Sequence, residues 1–222
     1  MQYESETRAH FQNSETARKY KAEYVGPIRL SNFRAKIIAH REKFLVRELL
    51  ANLAPLSQLI DIPCGTGKMA DVLAGSANNL VAADISQEMM NHAENDYRDN
   101  ESFSGFVVAD ASKTPFTSNQ FDCVVMVRLL HRIPLDLKPK FLKEVHRITR
   151  QYAVVSYSTS SVVSKLSHRA NSDRKINYLI SHAHFAEMCT EIGFEIITSK
   201  TVLPLLSTEV IALLRISPND SS

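Results

Sequence analysis

Residues 59–70, which read LIDIPCGTGKMA, hold the side chains of this chain that are best placed to do chemistry. An apolar run ends at Asp61 and is followed by a turn with glycines at positions 65 and 67, after which a helical pattern begins. This is how a strand presents a nucleotide-like ligand to the first turn of a helix. A carboxylate at the end of the strand repels phosphate, so the pattern predicts a ligand that carries positive charge near Asp61.

Other ligand classes use similar glycine turns. The spacing Gly65-x-Gly67-x-x-Ala70 also satisfies the dinucleotide-binding fingerprint, and Asp84 lies about 20 residues further on, where an acidic residue binds ribose hydroxyls. A P-loop is excluded, because that motif requires glycine at position 62 and serine or threonine at position 69, where this chain has isoleucine and methionine. By itself, the glycine turn leaves a dinucleotide and a cationic nucleoside ligand both open.

Short apolar runs alternate with helical patterns from residue 56 onward, which is typical of a parallel sheet covered by helices on both faces. The run FDCVVMV at residues 121–127 predicts a central strand, and Ser86 is a predicted N-cap for a helix that carries Met89 and Met90. The other strands are predicted at residues 56–62, 80–83, 106–109, 152–157, 194–198 and 208–214. The fold class is therefore α/β, a doubly wound, mostly parallel seven-stranded sheet. A hairpin near Pro204 makes its last strand antiparallel.

Two longer segments fall outside this alternation. Residues 1–50 carry helical patterns rich in tyrosine and arginine, and residues 159–181 form an insertion rich in serine, lysine and arginine. Both can reach the carboxyl edge of the sheet, where ligands bind in doubly wound folds. We expect a helical N-terminal extension at residues 1–50, a main domain at residues 51–217 with residues 159–181 as a substrate cap, and a disordered tail at residues 218–222.

Composition limits the classes of protein. The 222 residues suffice for one well-cored α/β domain with appendages. The 26 basic and 24 acidic residues are interspersed and give a net charge of only +2, so no extended anionic partner is expected. The three cysteines form neither a disulfide framework nor a Cys-x-x-Cys metal site. No run approaches the roughly 18 apolar residues that span a bilayer, and we expect a cytoplasmic protein that is a monomer or a homodimer.

The residues around the glycine turn discriminate between a dinucleotide and a cationic nucleoside as the ligand. Asp61 lies four positions before Gly65, about 50 residues precede the first strand, and too little chain follows the sheet for a typical separate substrate domain. With VAADIS at residues 81–86, VVADAS at 107–112 and FDCVVMVRLLHRIP at 121–134, the chain resembles the class I S-adenosylmethionine-dependent methyltransferases. The resemblance covers roughly residues 56–216. It implies a Rossmann-like fold, S-adenosylmethionine as the cofactor and S-adenosylhomocysteine as its product.

The resemblance also implies which residues bind the cofactor. It places Asp61, Gly65 and Gly67 around the methionine part. Asp84 would bind the ribose hydroxyls, with a structural alternative as a cap of the next helix. The other implied contacts are Asp110 with Ala111 at the adenine, Ile85 beside Asp84, Arg128 beside the methionine moiety, and Tyr20 and Arg34 in an N-terminal lid. Asp110 has its own structural alternative, a turn aspartate.

Pro63 is also a predicted cofactor contact, although the family usually has glycine at this position. Proline fixes φ near −65° and removes an N–H donor, so the loop must follow a path that is compatible with both.

Two residues after the fourth strand bear on the reaction. His131 is a candidate general base, because histidine accepts a proton near neutral pH; the alternative is a histidine that only packs against the cofactor. Arg128 can bind a substrate carboxylate or phosphate, or form an ion pair with Asp61 or Asp110. Tyr157, which ends the fifth predicted strand, is a second candidate base. His182 and His184 predict no metal site, because they lie on different sides of the first turn of a helix.

These residues predict methyl transfer to an oxygen, nitrogen or carbon atom of a small molecule. The family's Asn/Asp-Pro-Pro-Tyr motif for methylation of nucleic-acid bases is absent at residues 128–131, so no nucleic-acid partner is expected. Two alternatives are left open. An NAD-dependent oxidoreductase would use the same glycine turn and Asp84, and a non-catalytic protein of this fold would bind the cofactor without consuming it.

Overall fold

The computed structural model describes residues 33–159, 179–204 and 207–218. The helices are α1 (Phe33–Ala51), α2 (Ala70–Leu73), α3 (Gln87–Arg98), α4 (Lys138–Ile148) and α5 (His182–Ile192). The strands are β1 (Leu56–Asp61), β2 (Ala77–Asp84), β3 (Phe103–Val108), β4 (Phe121–Met126), β5 (Thr149–Ser158), β6 (Phe194–Thr201) and β7 (Glu209–Ile216).

The seven strands form a sheet in the order β3-β2-β1-β4-β5-β7-β6, with β7 antiparallel to both of its neighbours. This confirms the predicted fold class, including the antiparallel last strand. The chain divides into two compact units, one that ends at Pro115 and one that begins at Phe116. The predicted domain boundaries at residues 50 and 217 stay predictions.

In the first unit, β1 pairs in parallel with β2, and β2 pairs in parallel with β3. Asp61 is opposite Ala82 and Asp84 is opposite Val108, so both aspartates lie at the carboxyl ends of their strands. Strand β2 begins earlier than predicted, since exposed Asn78 and Asn79 belong to it without contributing an apolar signal. The parallel pairing therefore places the two carboxylates at the same edge of the sheet.

Helices α1 and α3 each bury one face. The buried side chains of α1 recur at helical spacing, as do those of α3. Ser86 caps α3 as predicted, because its hydroxyl accepts a hydrogen bond from the amide of Met89 at 3.2 Å. The buried residues of α1 are Ala39, Glu42, Leu45, Val46, Leu49 and Leu50, and those of α3 are Met89, Met90, Ala93 and Tyr97. A glutamate within the apolar stripe of α1 requires a buried partner.

In the second unit, every residue of β4 is buried, as its apolar run predicts. Strand β4 pairs in parallel with β5, and β7 lies antiparallel between β5 and β6. Helix α4 buries Phe141, Leu142, Val145 and Ile148, which recur at helical spacing. Ser181 caps α5 through a 3.1 Å hydrogen bond from the amide of His184.

The three cysteines are free thiols and are buried, Cys64 in the first unit and Cys123 and Cys189 in the second. This agrees with the prediction that they form no disulfide framework. None of the helices within the described ranges is long and apolar enough to cross a membrane.

Candidate functional site

Asp84 closes β2 and is 5% exposed. One carboxylate oxygen accepts a hydrogen bond from the amide of Gly65, and the other accepts one from the amide of Ser86, both at 2.9 Å. Burial raises the pKa of Asp84 to about 6, while the backbone donors act in the opposite direction. Asp84 therefore fixes both the glycine turn and the start of α3, and its carboxylate retains acceptor capacity with which a ligand hydroxyl can bond.

Asp61 at the end of β1 is 2% exposed and accepts a 2.5 Å hydrogen bond from the hydroxyl of Tyr97 in α3. Burial raises the pKa of Asp61 to about 7; the Tyr97 hydrogen bond opposes this rise, and the negative charge of Asp84 adds to it. The protein itself thus provides a hydrogen-bond partner for the buried carboxylate. A cationic ligand nearby would favour the ionised form of Asp61.

The two glycines of the turn serve different purposes. Both have positive φ, +54° at Gly65 and +81° at Gly67, which is the region that glycine adopts without strain. A Cβ at Gly67 would lie 3.0 Å from the Cβ of Asp96 and 3.2 Å from that of Ala93, so Gly67 allows the turn to pack closely on α3. A Cβ at Gly65 would have no atom of the described residues within 4 Å, apart from the glycine itself and its two chain neighbours. Space for a ligand therefore lies beside Gly65.

The other predicted cofactor contacts in the first unit are partly exposed: Pro63, Ile85, Asp110 and Ala111. The peptide bond between Ile62 and Pro63 is cis. Asp110 follows β3, and its carboxylate accepts a 2.8 Å hydrogen bond from the amide of Ser112, which is the turn role weighed as its alternative. This hydrogen bond leaves acceptor capacity on Asp110 for a ligand donor.

A buried ion pair links α1 to the glycine turn. Glu42 of α1 is fully buried, Lys68 directly follows Gly67 and is 7% exposed, and the Lys68 ammonium donates to the Glu42 carboxylate. The sequence does not predict this pair. Its only signal is a glutamate in the apolar stripe of α1, which shows that a partner is needed without showing which residue provides it.

Arg128, in the second unit, follows β4 with φ of +63°, a conformation that is uncommon outside glycine. Its amide donates to the hydroxyl of Ser156 at 2.7 Å, and its guanidinium lies 3.8 Å from the carboxylate of Glu209. Glu209 is an ion-pair partner that the sequence does not predict. The guanidinium is mostly buried, and its role as a cofactor contact stays a prediction.

His131 lies in a short 3-10 turn, Leu130–Arg132, and is largely buried. Lys138, the first residue of α4, is fully buried and holds this turn from both ends. Its ammonium donates to the carbonyl oxygen of Leu130 and, at 2.7 Å, to that of Ile133. Burial lowers the pKa of Lys138 to about 8. Lys138 thus fixes the backbone on both sides of the candidate base, another role that the sequence does not reveal.

Tyr157 near the end of β5 forms a 2.7 Å hydrogen bond with Nδ1 of His182, and its ring stacks on Phe185 at 3.9 Å. Burial raises the pKa of Tyr157 to about 12, which weakens the case for Tyr157 as a base near neutral pH. His182 and His184 are both exposed in the first turn of α5.

The predicted N-terminal lid falls only partly within the described residues. Arg34 lies in the first turn of α1 and is exposed, and Tyr20 lies outside the described residues. Most of the predicted substrate cap at residues 159–181 also lies outside them. The roles assigned to Tyr20, Arg34 and the cap stay predictions.

Comparison with known proteins shows which proteins this chain is similar to. Residues 60–157 match the family model described as a methyltransferase domain. The magnesium protoporphyrin IX methyltransferase from Synechocystis, solved with bound S-adenosylhomocysteine, superposes with a TM-score of 0.80 at 16% sequence identity, over 96% of this chain and all of that one. Residues 60–157 are therefore similar to a methyltransferase domain, and the superposition shows that the chain has the fold of this methyltransferase.

Among curated relatives, the ubiquinone/menaquinone biosynthesis C-methyltransferase UbiE of Rickettsia prowazekii is 34% identical over 102 residues, which are 42% of this chain and 40% of the relative. A malonyl-[acyl-carrier protein] O-methyltransferase of Pectobacterium atrosepticum is 24% identical over 163 residues, 71% of this chain and 61% of the relative. The chain thus aligns with less than two thirds of either relative. These similarities favour the methyltransferase interpretation over the oxidoreductase one.

Proposed function

We propose that this chain binds S-adenosylmethionine and transfers its methyl group to a small-molecule acceptor. The observation that carries the proposal is the arrangement around Gly65, where Asp84 accepts a hydrogen bond from the amide and, within the part of the chain that the structure describes, a Cβ would meet open space. A buried carboxylate beside an open backbone turn suits a nucleoside with ribose hydroxyls. The raised pKa of Asp61 suits a ligand that carries positive charge, because such a ligand stabilises the ionised carboxylate.

The proposed cofactor contacts follow from this arrangement and from the family resemblance. Asp84 accepts hydrogen bonds from the ribose hydroxyls, Asp61 faces the positively charged methionine part, and the backbone at Gly65 lies against the ligand. Ile85, Asp110 and Ala111 are proposed at the adenine end, where their partial exposure leaves them accessible. The proposal extends to Pro63, Gly67 and Arg128, and to Tyr20 and Arg34 as lid residues.

When bound, the cofactor supplies an electrophilic methyl carbon on a sulfonium, so one carbon–sulfur bond breaks as the bond to the acceptor forms. The protein mainly has to align the acceptor and exclude water, and proximity alone can lower the barrier by about 7–11 kcal/mol. An acceptor that carries a proton must also lose it. We assign that proton to His131, whose backbone is fixed on both sides by Lys138.

The acceptor belongs to the small-molecule class in this proposal. The names of two relatives state carbon and oxygen methylation, which supports either atom as the acceptor, and nitrogen is equally compatible with the site residues. We further propose a cytoplasmic protein that acts as a monomer or homodimer. Its interspersed charge supports the proposal that it has no nucleic-acid partner.

Calorimetric titration tests the cofactor assignment. We expect the protein to bind S-adenosylhomocysteine and not NAD, and Asp84→Ala to weaken binding by about 1.5–3 kcal/mol, because charge-assisted hydrogen bonds to the ribose are lost. Asp99→Ala, which removes an exposed aspartate of the same unit, should leave affinity unchanged. Tight NAD binding without S-adenosylhomocysteine binding would overturn the proposal. A protein that binds the cofactor but methylates no acceptor would support the non-catalytic alternative.

A further inference from the structure

The buried ion pair between Glu42 and Lys68 joins helix α1 to the loop that carries the proposed cofactor contacts. Glu42 lies in the N-terminal helix α1, and Lys68 lies in the loop of residues 62–69, here named the cofactor loop. Both charges are removed from water. A buried pair is tolerated only with good geometry, and loss of either partner leaves an uncompensated buried charge.

The cofactor loop is fixed at several points within the first unit, and one of them is the 2.8 Å hydrogen bond from the amide of Cys64 to the carbonyl oxygen of Ala83 in β2. The amide of Gly65 donates to Asp84 at the end of β2, and Gly67 packs against Ala93 and Asp96 of α3. Lys68 provides a further point, through Glu42 of α1. The other points join the loop to β2 and α3, which follow it in the chain, whereas Lys68 joins it to the helix that precedes the sheet.

An exposed ion pair between α1 and α2 provides a natural comparison. Lys43, the neighbour of Glu42, lies 2.7 Å from Asp71 in α2, but these side chains are 29% and 57% exposed. Exposed pairs contribute little because water and salt screen them. Arg47 of α1 also lies 3.9 Å from Asp71, and both of these side chains are exposed. Of these three pairs, which connect α1 with the region after β1, the Glu42–Lys68 pair is thus the buried one.

We infer that Glu42 and Lys68 are positioning residues for the cofactor loop, and that their ion pair holds the Gly65 turn in the geometry that accepts S-adenosylhomocysteine. The inference rests on the proposed function for the identity of the ligand. Neither residue touches the reacting atoms in this role. A loop that carries binding groups needs its supporting residues to fix it within a fraction of an ångström.

The test measures two quantities on four variants. Hydrogen exchange at the Gly65 and Gly67 amides is followed in the ligand-free protein, and the dissociation constant of S-adenosylhomocysteine is measured by calorimetry. The variants are Lys68→Met, the neutral double variant Glu42→Gln/Lys68→Met, the exchanged pair Glu42→Lys/Lys68→Glu, and Lys43→Met as the exposed control.

In Lys68→Met and in the neutral double variant, we expect faster exchange at both glycine amides and a dissociation constant about tenfold higher. The exchanged pair should restore both quantities toward those of the wild type, and Lys43→Met should change neither. The neutral double variant keeps the test decisive where Lys68→Met alone fails to fold, because it leaves no buried charge behind.

A neutral double variant that folds with wild-type exchange and wild-type affinity would overturn the inference and reduce the pair to an attachment for α1. Wild-type protein that fails to bind S-adenosylhomocysteine would instead overturn the proposed function. In that case, the exchange rates of the ligand-free variants still test whether the pair positions the loop.

Discussion

The two units hold their strand-end polar groups in opposite ways. In the first, buried carboxylates at the ends of β1 and β2 accept hydrogen bonds from the chain, and burial raises their pKa values. In the second, the buried ammonium of Lys138 donates to carbonyl oxygens after β4, and burial lowers its pKa. One unit presents fixed acceptors and the other uses a fixed donor. Because burial raises the pKa of the carboxyl groups and lowers that of the ammonium, their contributions to the free energy of unfolding should change with pH in opposite directions.

The largest expected effect of a single substitution is at Lys138. Lys138→Met keeps most of the side-chain volume but leaves the carbonyl oxygens of Leu130 and Ile133 without this donor. The Leu130 carbonyl keeps a 3.2 Å hydrogen bond from the amide of Ile133, so the free energy of unfolding should fall by about 1–3 kcal/mol, chiefly through the Ile133 carbonyl, measured by urea denaturation at pH 7. Lys143→Met, at an exposed position of the same helix, should change it little.

The stability difference between Lys138→Met and wild type should also depend on pH. The pKa of Lys138 is about 8 in the folded protein and 10.5 in an unstructured peptide, so the unfolded chain binds more protons between these values. The contribution of Lys138 to stability therefore grows as pH rises from about 8 to 10.5. A stability difference between Lys138→Met and wild type that does not change over this range would contradict the lowered pKa of the buried Lys138 ammonium.

The next effect concerns Asp61, and its sign is reversed. Its pKa is about 7 in the folded protein and 3.8 in an unstructured peptide, so the folded protein binds more protons between these values. Stability relative to Asp61→Asn should decrease as pH rises from about 4 to 7, by up to about 1.4 kcal/mol per pH unit.

Urea denaturation of ligand-free protein at several pH values measures this difference, with Asp99→Asn as the exposed control. If the stability of Asp61→Asn and of wild type changes in parallel from about pH 4 to 7, the first unit does not hold its carboxylate in the way described.

The smallest effect compares one tyrosine hydroxyl in each unit. Tyr97→Phe removes the donor to the buried carboxyl of Asp61 and should lower the free energy of unfolding by about 1.5–3 kcal/mol. Tyr157→Phe removes a hydrogen bond to exposed His182, which water can replace, and should lower it by about 0.5–1 kcal/mol. Equal losses in urea denaturation would show that burial of the partner does not distinguish these two hydrogen bonds.

Much of the fold can be predicted from the sequence, because apolar runs and helical periods encode burial directly. The strand-end positions of Asp61 and Asp84 follow from the same patterns, and both carboxylates lie where β1 and β2 end. Ser86 and Ser181 cap helices as their residue types predict. These strand ends and helix caps depend on residues that are close together in the sequence.

The side chains that contact Asp61 and Glu42 are harder to predict from sequence patterns. Tyr97 is 36 residues from Asp61, and Lys68 is 26 from Glu42, so no local pattern connects them. Periodicity indicates that Glu42 is buried without indicating what neutralises it. Gly67 illustrates a related limit, because its motif predicts a cofactor contact, whereas close packing on α3 is already a sufficient reason for glycine there.

The three buried thiols give each unit its own chemical reporter. Burial, with the nearby negative charges of Asp84 and Asp61, raises the pKa of Cys64 well above its usual value, and burial raises the pKa of Cys123 and of Cys189 to about 12. Alkylating reagents attack thiolates, so the folded protein should resist labelling at neutral pH. Modification of Cys64 then records opening of the first unit, and modification of Cys123 or Cys189 records opening of the second, without any engineered probe.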